Sequence, residues 1–122
     1  MTTGITDIES QLFNTSSSIV GNRLIVALSG CLDMDTTPLL KSFLEPLIRD
    51  LQAGIVSAIE FETGQLYLMS SSSISCFATW IKSLMNTQPE WRVTFKTNPN
   101  LSWQRRTLDP IRRLAEHLVS IE

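Results

Sequence analysis

Four consecutive serines, Ser70 to Ser73, are the residues in this chain whose type and spacing most invite chemistry. A serine hydroxyl caps a helix, accepts a phosphoryl group, or attacks a carbonyl when a base stands beside it. No such base is apparent. The single histidine, His117, falls among Arg112, Arg113 and Glu116 on a predicted last helix, and reads as a solvated surface residue rather than a general base. Asp33 and Asp35 follow a predicted strand and read as turn formers and helix caps rather than a metal pair. Cys31 and Cys76 share no metal-ligand spacing with His117 and read as two buried thiols rather than a disulfide. Arg105, Arg106, Arg112 and Arg113 fit the solvated side of an amphipathic helix better than a basic docking face. Trp80, Trp91 and Trp103 border apolar stripes and are expected to pack against the core, Trp103 least fully. With no nucleophile, base and orienter set, no phosphate-cradling glycine loop and no metal spacing, enzyme or small-ligand chemistry ranks below binding. No catalytic residue, metal or cofactor is assigned.

The elements that position the serines follow from periodicity. Ser18-Ile19-Val20 and Arg23 to Leu28 flank Gly21-Asn22, a dipeptide suited to a tight turn, and predict an N-terminal hairpin ended by Gly30. Asp35 or Thr36 is placed to cap a helix whose Leu39, Leu40, Phe43, Leu44, Leu47, Ile48 and Leu51 form one stripe, with Pro46 expected to kink or weaken it. Ile55 to Phe61 predicts a strand, Thr63-Gly64-Gln65 a break, and Leu66 to Met69 a short apolar run leading into the serines. Ile74, Phe77, Ala78, Ile81 and Met85 mark the buried face of the next helix, with Trp80 and Leu84 on its borders. Trp91 to Phe95 reads as a strand and Asn98-Pro99-Asn100 as a loop. Trp103, Leu108, Ile111, Leu114 and Leu118 suggest a last helix in which Pro110 is either a kink or the true first turn. The order predicts an α/β fold, a mixed sheet of four to five strands packed against helices.

In order and in detail these segments resemble the STAS family, and the anti-sigma factor antagonists in particular. Leu28-Ser29-Gly30-Cys31-Leu32-Asp33, followed by Thr37-Pro38-Leu39-Leu40, is similar to the family's Leu-Ser-Gly-x-Leu-Asp strand end and first helix. Ile59-Glu60-Phe61-Glu62 and the stretch from Leu66 to Ser75 occupy the place of the strand and Asp-Ser-Ser-Gly-Leu-Gly turn that open the second helix. Leu101-Ser102-Trp103-Gln104 with Thr107-Leu108 is similar to the last helix of a divergent bacterial STAS-like subgroup. The resemblance covers roughly residues 10 to 122, carried by collinearity rather than by any one motif.

The resemblance implies a non-enzymatic module that docks on a serine-kinase anti-sigma factor with an ATP-binding kinase fold, and is released when phosphorylated. The acceptor serine carries over to Ser71. Partner binding carries over to Ser70, Ser71, Ser72, Ser73, Ile74 and Asp33. The chain departs from the pattern at Ser70 in place of Asp, and at Ser73 and Ser75 in place of the two glycines. A STAS-like scaffold that assembles with itself, without the phosphoswitch, is the alternative, and a homodimer is admitted.

The 122 residues, 43% of them apolar, suffice for one core, so one domain over residues 1–122 is expected, with 1–9 as a mobile lead. A net charge of −2, with both signs mixed along the chain, provides no footprint for nucleic acid or an anionic membrane. No apolar run approaches a membrane span, and the first residues lack a secretory pattern, so a cytoplasmic location is expected.

Overall fold

The computed structural model describes residues 7–54, 56–85 and 91–122. Its elements in chain order are β1 (Phe13–Val20), β2 (Arg23–Leu32), α1 (Thr37–Gln52), β3 (Ala58–Met69), α2 (Ser71–Met85), β4 (Arg92–Lys96), α3 (Trp103–Leu114) and β5 (Val119–Ile121). The strands form one sheet in the order β1-β2-β3-β4-β5, with β1 antiparallel to β2 and every later pair parallel. Each parallel step is made by one helix. Because such crossovers share one hand, strands laid down in chain order put α1, α2 and α3 on the same face.

That face is built by period-two burial. Leu24, Ile59, Val93 and Val119 form one row across the four parallel strands, and Val26, Phe61, Phe95 and Ile121 the next. Phe77 and Trp80 of α2 pack edge-on against Phe61 at 5.5 and 5.7 Å, and Phe95 stacks on Phe61 at 5.3 Å. The opposite face carries Arg23, Glu62, Arg92 and Lys96 in solvent. Glu60 at its centre is only 6% exposed, held between Arg23 (3.7 Å) and Lys96 (3.5 Å).

Several sequence expectations need correction. Gly30 does not end β2. It sits in a bulge with φ +98°, where a Cβ would fall on the Leu12 carbonyl oxygen, and the strand continues to Leu32. The predicted break at Thr63-Gly64-Gln65 is likewise a bulge inside one long β3. Glu62 pairs with Ala27 and Gln65 with Ser29, so two residues oppose Leu28 alone. The buried face of α2 is Ser73, Phe77, Trp80, Ile81 and Leu84, rotated from the expected stripe so that Met85 is exposed. Pro110 lies inside α3, which starts at Trp103, and α1 runs on through Pro46. His117 falls in a turn beyond α3 rather than in the helix, and a fifth strand follows it. Met1 to Thr6, Ile55 and the Leu51 side chain lie outside the described residues; Asp7 to Glu9 run beside β1 with Ile8 bonded to Thr15.

Gln104 secures the β3 bulge. Its side chain is fully buried and donates to the carbonyls of Thr63 (2.7 Å) and Leu66 (3.2 Å), while its oxygen accepts from the Asn98 amide (2.9 Å). These are groups that a bulge or a loop leaves without a ladder partner. Gln104→Leu is expected to cost about 3 kcal/mol, because several buried backbone groups lose their bonds together. Urea unfolding of the variant, with an unchanged slope, measures it.

Candidate functional site at the start of two helices

The C-terminal ends of β2 and β3 lie side by side, and α1 and α2 start from them. The Ser70 amide donates to the Leu32 carbonyl at 2.7 Å, one step beyond the last sheet pair, Leu32 with Met69. Asp33 then turns the chain into α1, its Oδ1 accepting from the amides of Asp35 (2.9 Å) and Thr36 (3.0 Å). Thr36 begins the helix through its carbonyl, and its hydroxyl points back to the Cys31 carbonyl at 2.9 Å. Oδ1 of Asp33 is thus engaged in holding the turn into α1.

Ser70 caps α2. Its Oγ accepts from the Ser73 amide (3.2 Å), and the Ser73 hydroxyl donates back to the Ser70 carbonyl (2.7 Å). Ser72 bridges the two helix starts, with hydroxyl contacts of 2.9 Å to Ser70 and 3.1 Å to Thr37, whose own hydroxyl donates to the Asp33 carbonyl at 2.7 Å. Three of the four serines are therefore committed to structure. Ser71, the first residue of α2, is exposed, and its hydroxyl has no hydrogen-bond partner among the described residues.

An apolar rim was not legible in the sequence. Met34 (77% exposed) and Leu39 follow β2, and Tyr67 (72% exposed) and Leu68 precede the serines on β3. Leu66 to Met69 reads in the sequence only as a short apolar run. A second register shift pairs Gly30 with Leu66 but Cys31 with Leu68, which leaves Tyr67 as the extra, unpaired residue. Of the predicted binding residues, Asp33, Ser70, Ser72 and Ser73 come together through hydrogen bonds, and Ser71 stands at the surface beside them. Ile74 is half-buried against the core.

Between α1 and α2 a groove of about 340 Å³ runs down from Thr37 and Ser72 past Lys41, Cys76 and Trp80. The Trp80 indole donates to the Leu44 carbonyl at 2.9 Å and fastens the helices beneath it. Burial pushes the Cys76 thiol above its ordinary pKa, Lys41 opposes that and Glu45 adds to it. Both cysteines are half-buried free thiols. On α3 the expected arginine face is largely paired, Arg112 and Arg113 lying 2.9 and 2.7 Å from Asp109, and Arg105 donating to the Ile121 carbonyl. The hydrogen bond from Arg112 is the main cause holding the Asp109 carboxyl below its usual range.

No family model matches the sequence, and neither does any curated protein. Among solved structures, an anti-sigma factor antagonist from Mycobacterium paratuberculosis superposes with a TM-score of 0.67 at 16% identity, over 83% of this chain and 80% of that one. The chain has the fold of the anti-sigma factor antagonists. SpoIIAA, an anti-sigma factor antagonist, matches in its unphosphorylated form with a TM-score of 0.59 at 15% identity, covering 88% of this chain and 87% of that one. The phosphorylated form of the same Bacillus cell fate determinant matches at 0.59 and 16%, covering 88% and 90%. The expected α/β architecture, a mixed sheet against helices with an N-terminal hairpin, is this STAS-type fold with five strands. No helix among the described residues is long and apolar enough to cross a membrane.

Two outcomes follow from the site's geometry. Ser70→Ala removes the cap of α2 and its link to Ser72, and thermal or urea unfolding is expected to show a loss of about 1 kcal/mol. Cys76, kept protonated to higher pH by burial, is expected to react with iodoacetamide more slowly at neutral pH in the folded chain than in urea, the folded rate rising as pH climbs.

Proposed function

We propose that this protein is a non-enzymatic regulatory module that docks on a protein partner at the helix-start loop formed by Ser70–Ser73, Ile74 and Asp33, with Ser71 as the serine that the partner meets. The partner class favoured is an anti-sigma factor with an ATP-binding serine-kinase fold, in the cytoplasm. The observation that carries the reading is the state of Ser71. One hydroxyl in a run of four is left exposed and unbonded at a helix start, while its neighbours hold that start rigid. The exposed Met34, Leu39, Tyr67 and Leu68 lie on the strand ends and helix start around it, and supply the apolar contacts that a protein partner would bury. The three solved structures named above, one of them in a phosphorylated form, are of anti-sigma factor antagonists.

Phosphorylation of Ser71 would bring a charge of about −1.5 to −2 to the first turn of α2, where the peptide dipoles and free amides favour it. The same charge would stand on the docking surface, where burial without a cationic partner is costly, so the modified protein would be released. The departures from the family's loop are compatible with the geometry. Ser73 is fully buried with its hydroxyl bonded, so this helix start holds a side chain where the family has glycine, and Ser70 supplies a neutral cap in place of Asp. That neutral cap also favours a second reading, a STAS-like scaffold that has lost the phosphoswitch, because a kinase that reads the Asp would find none.

Pull-downs from the native host with wild type, Ser71→Ala and Ser71→Asp separate the two. A kinase-fold protein held by wild type and Ser71→Ala, and released at least about tenfold by Ser71→Asp, is the expected result, with phosphate mapping to Ser71. Equal binding by all three, with no phosphate on the chain, supports the scaffold. Met34→Ser with Tyr67→Ser is expected to weaken capture about tenfold or more while leaving the unfolding midpoint unchanged, since both side chains are exposed.

A further inference from the structure

β1 is an edge strand with an unusual cover. Its two-residue turn at Gly21-Asn22 is closed by the pair Val20 with Arg23, so even-numbered amides point to β2 and those of Phe13, Thr15, Ser17 and Ile19 point away from the sheet. A short preceding segment takes up three of the four. The Phe13 amide donates to Ser10 Oγ (2.9 Å), the Thr15 amide to the Ile8 carbonyl (2.9 Å), and the Ser17 amide to Asp7 Oδ2 (3.1 Å). Asp7 also accepts from the hydroxyls of Ser17 (2.5 Å) and Thr15 (3.1 Å).

The strand beneath carries none of the usual protection against pairing. Phe13–Val20 holds no charged residue and no proline. Its apolar side chains are exposed at both ends, Leu12 just before the strand and Ile19 and Val20 at its close. A two-fold axis through Ser16 would set Thr15 opposite Ser17 of a second copy, Phe13 opposite Ile19, and Leu12 opposite Val20. The outward amides and carbonyls then face each other, and exposed Leu12 meets exposed Val20 at each end, while Ile19 lies opposite the buried Phe13.

We propose that the β1 edge is a surface for antiparallel pairing with β1 of a second copy of this chain, and that residues 7–10 are an intramolecular cover competing for the same amides. The surface lies on the sheet edge, apart from the Ser71 loop, and does not depend on the function assigned to that loop.

The test is sedimentation velocity on the full chain from about 10 to 500 μM, comparing wild type with the double variant Asp7→Ala, Ser10→Ala. The variant, folded by near-UV circular dichroism, is expected to form dimers at a concentration about tenfold or more below wild type. Adding Ser17→Pro, which deletes an outward amide without touching the β2 ladder, is expected to return it to monomer. A folded variant that stays monomeric throughout, or a dimer that survives Ser17→Pro, overturns the proposal. Should loss of the cover unfold the chain, the covered protein carries the test in a Cys31→Ser, Cys76→Ser background. Under oxidation at high concentration, Ser16→Cys on the axis is expected to cross-link to itself and Ser18→Cys, set opposite Asn14, is not. Equal cross-linking by both overturns the proposal.

Discussion

A single backbone hydrogen bond, from the Ser70 amide to the Leu32 carbonyl, sets the arrangement on which the site depends. It extends the parallel β2–β3 pair one step past the sheet, to the place where both chains leave it for helices. Two helix starts that would otherwise end separately are brought within hydroxyl reach, and the chain of contacts from Asp33 through Thr37 and Ser72 to Ser70 closes the gap. The sheet makes this possible because strands added in chain order send every crossover to one face and every parallel strand end to one edge. Rigid strand ends beneath a short polar turn are a scaffold on which a surface residue is held in a defined place.

The two bulges are part of the same arrangement. A long β3 must reach from the bottom of the sheet to Ser70, and it does so with extra residues at Thr63-Gly64 and at Tyr67. The first would leave buried carbonyls unbonded, which Gln104 of α3 corrects from across the core. The second turns Tyr67 out into solvent. A helix far from the serines in sequence therefore helps fix the strand that carries them.

Much of this is legible in the residues. The hairpin follows from Gly21-Asn22 between β-rich runs, and the three helices follow from apolar spacing. The serine run reads as a helix start because serine is a preferred cap. What sequence periodicity misses has particular physical causes. Gly30 and Thr63-Gly64 look like ends because glycine in a strand marks either a turn or a bulge, and the difference lies in the pairing partner rather than in the strand itself. The α2 face lies off the apolar spacing because Ser73, polar by type, is buried through its bond to Ser70. β5 is only three residues long, too short for alternation to register, and is defined by pairing with β4. Within the serine run the sequence cannot rank four identical side chains. The hydrogen bonds among the described residues do rank them, since Ser70, Ser72 and Ser73 are bonded and the Ser71 hydroxyl is not.

We propose that a partner meets this protein at the strand ends around Ser71. Hydrogen–deuterium exchange on the complex recovered from the native host, compared with the free chain, tests it most directly. Binding is expected to slow exchange at Asp33 to Leu39 and Tyr67 to Ile74 while leaving α3 and the open sheet face unchanged. Protection confined to α3, the β1 edge or the open face, with the Ser71 loop exchanging as in the free chain, would contradict it.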